Sequence, residues 1–267
     1  MSKLLVDNPA EGVRRITFND PDTRNALSYD MYEQTFAALN ALKEDLDTRV
    51  LIITGNGKGF CSGHNLAAPV PPDWYPPEYG RLQGGQRMSG RISQIPLTIR
   101  QLPQVVICAV NGSAAGLGYA LALVSDVTIA AHSAKFVNAF HNAGAGAEMG
   151  FSWLLPRAVG IQRAAEILFS ARAVLPDEAE RIGMIWKAVP DEKLMEEALT
   201  LAESFKGQSP ADIMLTKRTF HINLETASYA NAVQIESRAV FMLNGTEDLL
   251  ERHAAAKEKR KPKYKNR

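Results

Sequence analysis

Hydrophobic and polar positions along the first part of the chain predict strands and a helix in turn. Residues 13–18 (VRRITF) alternate between apolar and polar side chains, which predicts a strand with one buried face. Ser28 is a suitable helix N-cap because its hydroxyl can accept free backbone N–H groups. Five apolar side chains then recur three or four residues apart, as on one face of an amphipathic helix: Tyr32, Phe36, Leu39, Leu42 and Leu46.

Continuous apolar runs in the next part of the chain are typical of strands that are buried on both faces. Such runs occupy residues 50–54 (VLIIT) and 105–110 (VVICAV), and a third strand is predicted over residues 127–131. We expect an irregular segment from Pro69 to Gly85, followed by a helix over residues 88–100. Strands that alternate with helices favour right-handed crossover units.

The last third of the chain follows a helical pattern. From Ile161 onward the sequence is mostly helical, and Pro210 opens the final helical segment directly after Ser209. A short helix is also expected over residues 117–125. We therefore predict an α/β core over residues 1–200 and a helical C-terminal region over residues 201–267.

Composition and charge restrict the class of protein. Hydrophobic residues make up 46% and charged residues 22% of the chain, as in ordinary globular proteins. The formal net charge is +1, so neither nucleic acid nor a membrane is expected as a partner. Residues 257–267 are strongly basic, and they fit a solvated terminus, a site for a phosphorylated cofactor or, less well, a nucleic-acid arm.

Cysteine usage and the absence of a targeting segment indicate a cytoplasmic protein. Cys61 and Cys108 are too few for a disulfide framework in a chain of 267 residues, so both are expected to be reduced. The first twelve residues lack the apolar stretch of a secretion signal. The longest apolar run, near residues 120–131, is too short to span a bilayer.

Two loops rich in small residues follow buried strands, and they carry the candidate chemistry. They occupy residues 59–66 (GFCSGHNL) and 111–118 (NGSAAGLG). Glycine lets a backbone turn tightly and approach a ligand closely. Two backbone N–H groups that converge from such loops can stabilise negative charge on an oxygen atom, as an oxyanion hole does. On composition alone, however, tight turns required for packing explain both loops.

Together the loops and three further segments resemble the crotonase, or enoyl-CoA hydratase/isomerase, superfamily. The additional segments are residues 21–28 (PDTRNALS), 155–160 (LPRAVG) and 257–262. The resemblance covers essentially the whole chain and implies a core of stacked strand–strand–helix turns. It also implies an acyl-CoA substrate, assembly as a homotrimer or hexamer, and no cofactor or metal beyond the coenzyme A that the substrate carries.

The resemblance assigns residues to the site by position. The oxyanion hole would be formed by the backbone N–H groups of His64 and Leu117, although many members have Gly in place of Leu117. Arg24 and Lys259 are candidates for the coenzyme A phosphates, while the backbone near His64 and Leu66 would contact the adenine. The full set expected to bind substrate is Arg24, Ala26, Ser62, His64, Asn65, Leu66, Gly116, Phe140 and Lys259.

The two carboxylates of familiar hydratases are missing from the matching positions. Ala120 and Phe140 stand there, and neither can transfer a proton. Glu148 matches the acid/base position of some enoyl-CoA isomerases in the superfamily. We therefore expect Glu148 to be catalytic, with the rings of His64 and His141 as weaker candidates.

The leading hypothesis is an isomerase that converts 3-enoyl-CoA to 2-enoyl-CoA in fatty acid metabolism. Glu148 would move a proton from the α-carbon to the γ-carbon while His64 and Leu117 hold the enolate oxygen. The alternatives are an enoyl-CoA hydratase, another enolate reaction such as hydrolysis of a carbon–carbon bond in a diketone, and a non-catalytic acyl-CoA-binding protein.

Overall fold

A six-stranded sheet forms the centre of the computed structural model, which describes residues 2–76, 78–142, 144 and 146–266. The order along the sheet is β1 (Leu4–Ala10), β2 (Val13–Phe18), β3 (Val50–Gly55), β5 (Val105–Val110), β7 (Val127–Ala131) and β9 (Lys187–Val189). β1 pairs antiparallel with β2, and the remaining neighbours are parallel. The side chain of His141 lies outside the described part of the chain.

A smaller parallel sheet contains β4 (Gly59–Cys61), β6 (Ser113–Ala115) and β8 (Lys135–Val137). Each strand of this sheet follows one strand of the large sheet along the chain. The α-helices, in chain order, are α1 (Tyr29–Lys43), α2 (Arg81–Ile92), α3 (Gln94–Gln101), α4 (Leu117–Val124), α5 (Ala139–Asn142), α6 (Phe151–Val159), α7 (Ile161–Ser170), α8 (Pro176–Arg181), α9 (Leu194–Lys206), α10 (Pro210–Asn223), α11 (Tyr229–Leu243) and α12 (Glu247–Glu258). The predicted fold class, α/β with stacked strand–strand–helix turns and a helical C-terminal region, is confirmed.

The central strands are buried on both faces, as their continuous apolar sequences predict. In β3, Leu51 and Ile53 join the cluster that includes α1 and the small sheet. Val50 and Ile52 point to the opposite face, where a second cluster includes side chains of α9. This alternation follows from the two-residue period of a strand.

The helix predicted after Ser28 is confirmed, but its last apolar residue is not part of it. Ser28 accepts a hydrogen bond from the Met31 N–H at 3.4 Å. α1 ends at Lys43, and Leu46 lies beyond it with 68% of its surface exposed. The Asp45 carboxylate accepts the backbone N–H groups of residues 47 and 48, which turns the chain toward β3. The assignment of Leu46 to the buried face is therefore wrong.

The segment before β5 contains two helices where the sequence predicted one. α2 begins at Arg81, inside the stretch expected to be irregular, and α3 follows after Ser93. Pro96 lies in the first turn of α3, where its missing N–H removes no helical hydrogen bond. The prediction of a helix over residues 88–100 is therefore correct in type and wrong in its beginning.

The expected division of the chain at residue 200 falls inside α9. This helix packs on the outer face of the large sheet through Leu194, Ala198 and Ala202. The helical segment that opens at Pro210 is confirmed as α10. The separate functions expected for the two regions stay predictions.

No helix within the described residues is long and apolar enough to cross a membrane.

Candidate active site

The small sheet brings the two glycine-rich loops together. β4 pairs with β6, so the segments that follow these strands leave the sheet side by side. Gly63 has φ of +92°, and a Cβ placed on it would lie 3.1 Å from the Ala115 carbonyl oxygen and 3.7 Å from the Leu117 nitrogen. A Cβ on Gly118 would lie only 2.1 Å from the carbonyl oxygen of Cys61. Glycine is required at these points because the loops are in contact.

The backbone of the first loop is held by the segment that precedes α1. The Leu27 N–H donates to the Gly63 carbonyl at 2.7 Å, and the Asn65 N–H donates to the Leu27 carbonyl at 3.0 Å. In a parallel bridge of this kind, the N–H of the intervening residue points away from the partner strand. The His64 N–H consequently has no acceptor among the residues that the structure describes.

The second unpaired donor lies at the beginning of α4. Gly116 is the N-cap of this helix, with φ of +52° and ψ of −116°, and Leu117 is its first residue. The first N–H groups of a helix lack intrahelical acceptors, and they lie at the positive end of the helix dipole. Within the described part of the chain, the Leu117 N–H donates no hydrogen bond. Two neighbouring loops thus each present an unpaired N–H, as an oxyanion hole requires.

Glu148 lies in the turn before α6, next to α2. Its carboxylate oxygen Oε1 is 3.5 Å from the Ser89 hydroxyl, and its carbonyl accepts the Phe151 N–H at 2.9 Å. Met149 adopts a left-handed backbone conformation, with φ of +58°, and Gly150 follows with φ of +77°. The turn sets a half-buried carboxylate against the polar side of α2.

Glu148 also lies close enough to α1 to influence Tyr32. Burial, followed by electrostatic interaction with Cys61, Tyr29 and Glu148, raises the pKa of Tyr32 well above its ordinary value. The Tyr32 hydroxyl lies 3.3 Å from Nδ1 of His64. Tyr32 thus contacts the first glycine-rich loop, and the neighbouring Tyr29 contacts Met88 on α2, one residue before the partner of Glu148.

Apolar side chains fill the positions of the missing carboxylates. Ala120 is completely buried in α4. The Phe140 ring would lie 3.9 Å from a Cβ on Gly116, and it packs edge-on against Phe151 with ring centroids 5.7 Å apart. These residues form an apolar wall beside Gly116 and contribute no proton-transfer group.

An open groove of about 600 Å³ runs along α2 and includes Ser89, whose hydroxyl contacts Glu148. It is lined by Arg81, Leu82, Gly85, Gln86 and Ser89. A cavity of about 810 Å³ lies elsewhere, between α10 and the amino ends of the strands, and none of the predicted site residues lines it. Volume alone would select that cavity, but Ser89, which contacts Glu148, lines the groove.

The predicted residues before α1 and in the first loop are brought together. The Ser62 N–H donates to the Arg24 carbonyl at 3.1 Å, and the Ser62 hydroxyl donates to the Thr23 carbonyl at 3.0 Å. Asn65 accepts the Ala67 N–H at 3.0 Å. The side chain of Arg24 is exposed, and Leu66 is 81% exposed. Ala26 is half-buried between Arg24 and Leu27.

Lys259 lies at the end of α12, and no described contact joins it to Arg24 or to the two loops. The basic tail turns back on its own helix, because Arg260 pairs with Glu251 and the Lys265 N–H donates to Asp248 at 2.7 Å. Some polar groups of the tail are thus already paired with carboxylates of α12. The roles of Lys259 and of the other predicted site residues stay predictions.

Sequence reasoning missed the residues that surround His64 and Glu148. Trp74 and Ser89 come from a segment without a clear pattern, and no spacing in the sequence connected them to the loops. Tyr32 was placed only in the buried stripe of α1. Trp74 packs against Tyr29 at 5.0 Å and against Tyr32 at 5.5 Å between ring centroids, so it closes the site beside α1.

No group of three or more His, Cys, Asp or Glu side chains in the described ranges is arranged to hold a metal ion. Burial raises the pKa of Cys61 to about 12, which keeps its thiol protonated at neutral pH.

Comparison with known proteins gives the family. The sequence profile described as enoyl-CoA hydratase/isomerase matches residues 8–267. The chain belongs to this family. A Mycobacterium bovis protein named a probable enoyl-CoA hydratase is 38% identical over 268 residues, covering 99% of this chain and 93% of the relative.

Two solved structures support the same assignment. A probable enoyl-CoA hydratase/isomerase from Mycobacterium abscessus is 37% identical, with a TM-score of 0.91 and complete coverage of both chains. A monofunctional enoyl-CoA isomerase from M. smegmatis is 37% identical, with a TM-score of 0.73, covering 88% of this chain and 99% of the other. The predicted family and the prediction of an enzyme are confirmed. The reaction is not fixed by these names, which include hydratases and isomerases.

Proposed function

We propose that this enzyme isomerises 3-enoyl-CoA to 2-enoyl-CoA. One arrangement carries the proposal: two neighbouring loops present unpaired N–H groups, Glu148 contacts Ser89 on α2, and the positions of the hydratase carboxylates hold the apolar residues Ala120 and Phe140. A hydratase must activate water and also deliver a proton to the α-carbon, for which two acid/base groups are suited. A double-bond shift needs only one group that reaches both carbons.

The proposed reaction begins with proton transfer from the α-carbon to Glu148. The electron pair of the broken C–H bond enters the conjugated system, and negative charge develops on the thioester oxygen. The N–H groups of His64 and Leu117 stabilise this charge, and removal of one such donor in other enzymes costs roughly 3–4 kcal/mol. Glu148 then returns the proton to the γ-carbon, so the substrate and product have the same composition.

The names of relatives favour two different reactions. The structure of the M. smegmatis isomerase, at 37% identity, supports isomerisation. The M. bovis relative, at 38% identity, is named a hydratase, so hydration of 2-enoyl-CoA is the second candidate. A hydratase would need a second acid/base group in place of residues 120 and 140.

Turnover of matched substrates tests the proposal. The purified enzyme should convert 3-enoyl-CoA much faster than it hydrates 2-enoyl-CoA. Glu148→Gln should keep its fold and its affinity for coenzyme A, yet lose at least ~10²-fold in turnover, because a positioned base typically contributes ~10²–10⁴-fold. The same variant should lose exchange of the α-proton with deuterated water.

Glu196→Gln is the matched control, because Glu196 is an exposed carboxylate on α9 that pairs with Lys193. It should turn over like the wild type. If Glu148→Gln also turns over like the wild type, Glu148 is not the base. Preferential hydration of 2-enoyl-CoA would replace the proposal with a hydratase. Coenzyme A binding without turnover or exchange would favour a non-catalytic binding protein.

A further inference from the structure

The imidazole of His64 is held by a tyrosine that the proposed reaction does not use. Nδ1 of His64 lies 3.3 Å from the Tyr32 hydroxyl, and the two rings stack with centroids 5.8 Å apart and an interplanar angle of 24°. Tyr29 packs edge-on against the same imidazole at 5.3 Å. α1 therefore fixes the side chain of the residue whose backbone N–H is unpaired.

The Tyr32 hydroxyl has one acceptor within the described part of the chain, Nδ1 of His64. Tyr32 is completely buried, and a buried hydroxyl without a partner costs ~1–3 kcal/mol. Its raised pKa, caused chiefly by burial, keeps the phenol protonated. The phenol proton therefore points to Nδ1, and the proton of the neutral imidazole resides on Nε2.

The other ring nitrogen of His64 is available to a ligand. Nε2 has no partner among the described residues, and it is not among the fully buried polar atoms. Burial lowers the pKa of His64 below its ordinary value, so the ring is neutral at pH 7. The titratable groups around the Tyr32–His64 pair are Tyr29 on α1, Cys61 on β4 and Glu148 before α6.

We propose that His64 donates a third hydrogen bond to the bound thioester through Nε2–H, and that Tyr32 is the positioning residue that keeps the proton on this nitrogen. The inference rests on the proposed function, since the bond would act beside the two backbone donors. A neutral donor can strengthen its bond as charge develops on the thioester, and it does not exchange a proton with Glu148.

Kinetics of a double-mutant cycle test the coupling of the two residues. Tyr32→Phe keeps the ring stack and removes the hydroxyl, whereas His64→Ala keeps the backbone N–H and removes the imidazole. Each variant should lower kcat about tenfold, the worth of one hydrogen bond, with little change in KM. The double variant should be no slower than His64→Ala, because both changes remove the same interaction.

Tyr119→Phe is the control for these kinetics. Tyr119 is completely buried, as Tyr32 is, and its hydroxyl contacts the sulfur of Met184 at 2.8 Å and not His64. Turnover of this variant should remain within about twofold of the wild type. Wild-type kcat in folded Tyr32→Phe, or additive losses in the double variant, would overturn the inference.

Nitrogen-15 NMR of the wild-type histidines provides a test that does not depend on turnover. The His64 signals, assigned by their loss in His64→Ala, should show the Nε2–H tautomer, and the Nε2–H resonance should shift when butyryl-CoA binds. An Nδ1–H tautomer, or an unshifted resonance in the butyryl-CoA complex, would overturn the inference. The predicted tautomer and shift in an enzyme without isomerase activity would reject the proposed function and retain the role of His64.

Discussion

The α/β body and the three C-terminal helices bury their apolar side chains to very different degrees. Every residue of β5 is buried, whereas α11 has no buried residue and α10 buries only Leu215 and Lys217. Large apolar side chains are exposed throughout the helices: Phe220, Ile222, Leu224, Tyr229, Val233, Val240, Phe241, Met242 and Leu250. Exposed apolar side chains in such number are more than a lone surface Leu, and apolar surface of this kind commonly marks an interaction site when it is contiguous.

Polar groups connect the helices to the body. The Lys217 ammonium donates to the carbonyls of Ile99 at 3.4 Å and Gln104 at 2.8 Å, and it lies 2.6 Å from the Asp126 carboxylate. Burial raises the pKa of Asp126, but the His221 ring, 3.5 Å away, and the charge and hydrogen bond of Lys217 outweigh it, so the pKa is lowered overall. The body is stabilised by its apolar interior, whereas α10 is attached at a charged point.

Because of this contrast, we expect substitutions in the two regions to change the stability of the protein differently. An apolar core tolerates small changes in packing, but a buried charge that loses its partner is strongly unfavourable. The remaining apolar surface of the helices lacks a cover in the single chain. We propose that neighbouring copies cover it in the expected homotrimer or hexamer.

The largest effect should come from Lys217→Ala. Removing one partner of a buried ion pair costs roughly 3–5 kcal/mol, because Asp126 would remain charged without the ammonium. Chemical denaturation should show this loss in the free energy of unfolding. Lys206→Ala removes a pair with Glu203, whose side chain is 70% exposed, and should change stability by less than about 1 kcal/mol. Equal losses in both variants would show that α10 is not anchored by its charge.

A smaller effect is expected when the exposed helical surface is made polar. Light scattering of the wild type at micromolar concentration should give a trimer or hexamer, and Phe241→Asp should reduce the mass toward one copy of 29.2 kDa while the fold is retained. Leu5→Asp, on the body at an exposed position, is the control and should keep the wild-type mass. A stable wild-type monomer would reject the proposal that neighbouring copies bury the apolar surface of these helices.

The smallest effect should be seen in coenzyme A affinity. Arg24→Glu should weaken binding several-fold, and rising ionic strength should weaken wild-type binding, because exposed charges contribute ~0–1 kcal/mol and are screened by salt. Calorimetric titration with coenzyme A measures both effects. If Lys259→Glu weakens binding only in the assembled oligomer, a neighbouring copy supplies Lys259. Affinity that is insensitive to Arg24→Glu and to salt would remove Arg24 from the phosphate site.

Residues with a strong local pattern were predicted well. Ser28 caps α1 as its hydroxyl predicts, and the apolar runs of β3 and β5 form central strands because continuous apolar sequence favours burial on both faces. β9 was missed because its three residues, Lys187–Val189, are too few to show a period. Leu46 was misplaced because the Asp45 turn competes with continuation of the helix.

The sequence by itself determined the strands β2, β3, β5 and β7, the helix α1, the family, and the absence of carboxylates at residues 120 and 140. These features depend on side-chain type and local spacing. Only the tertiary structure decided that Gly63 and Leu117 are neighbours, that Ser89 faces Glu148, and that Tyr32 holds the imidazole of His64. Such contacts join residues more than thirty positions apart, and the pairing of strands and the packing of helices set their geometry, to which local periodicity gives no access.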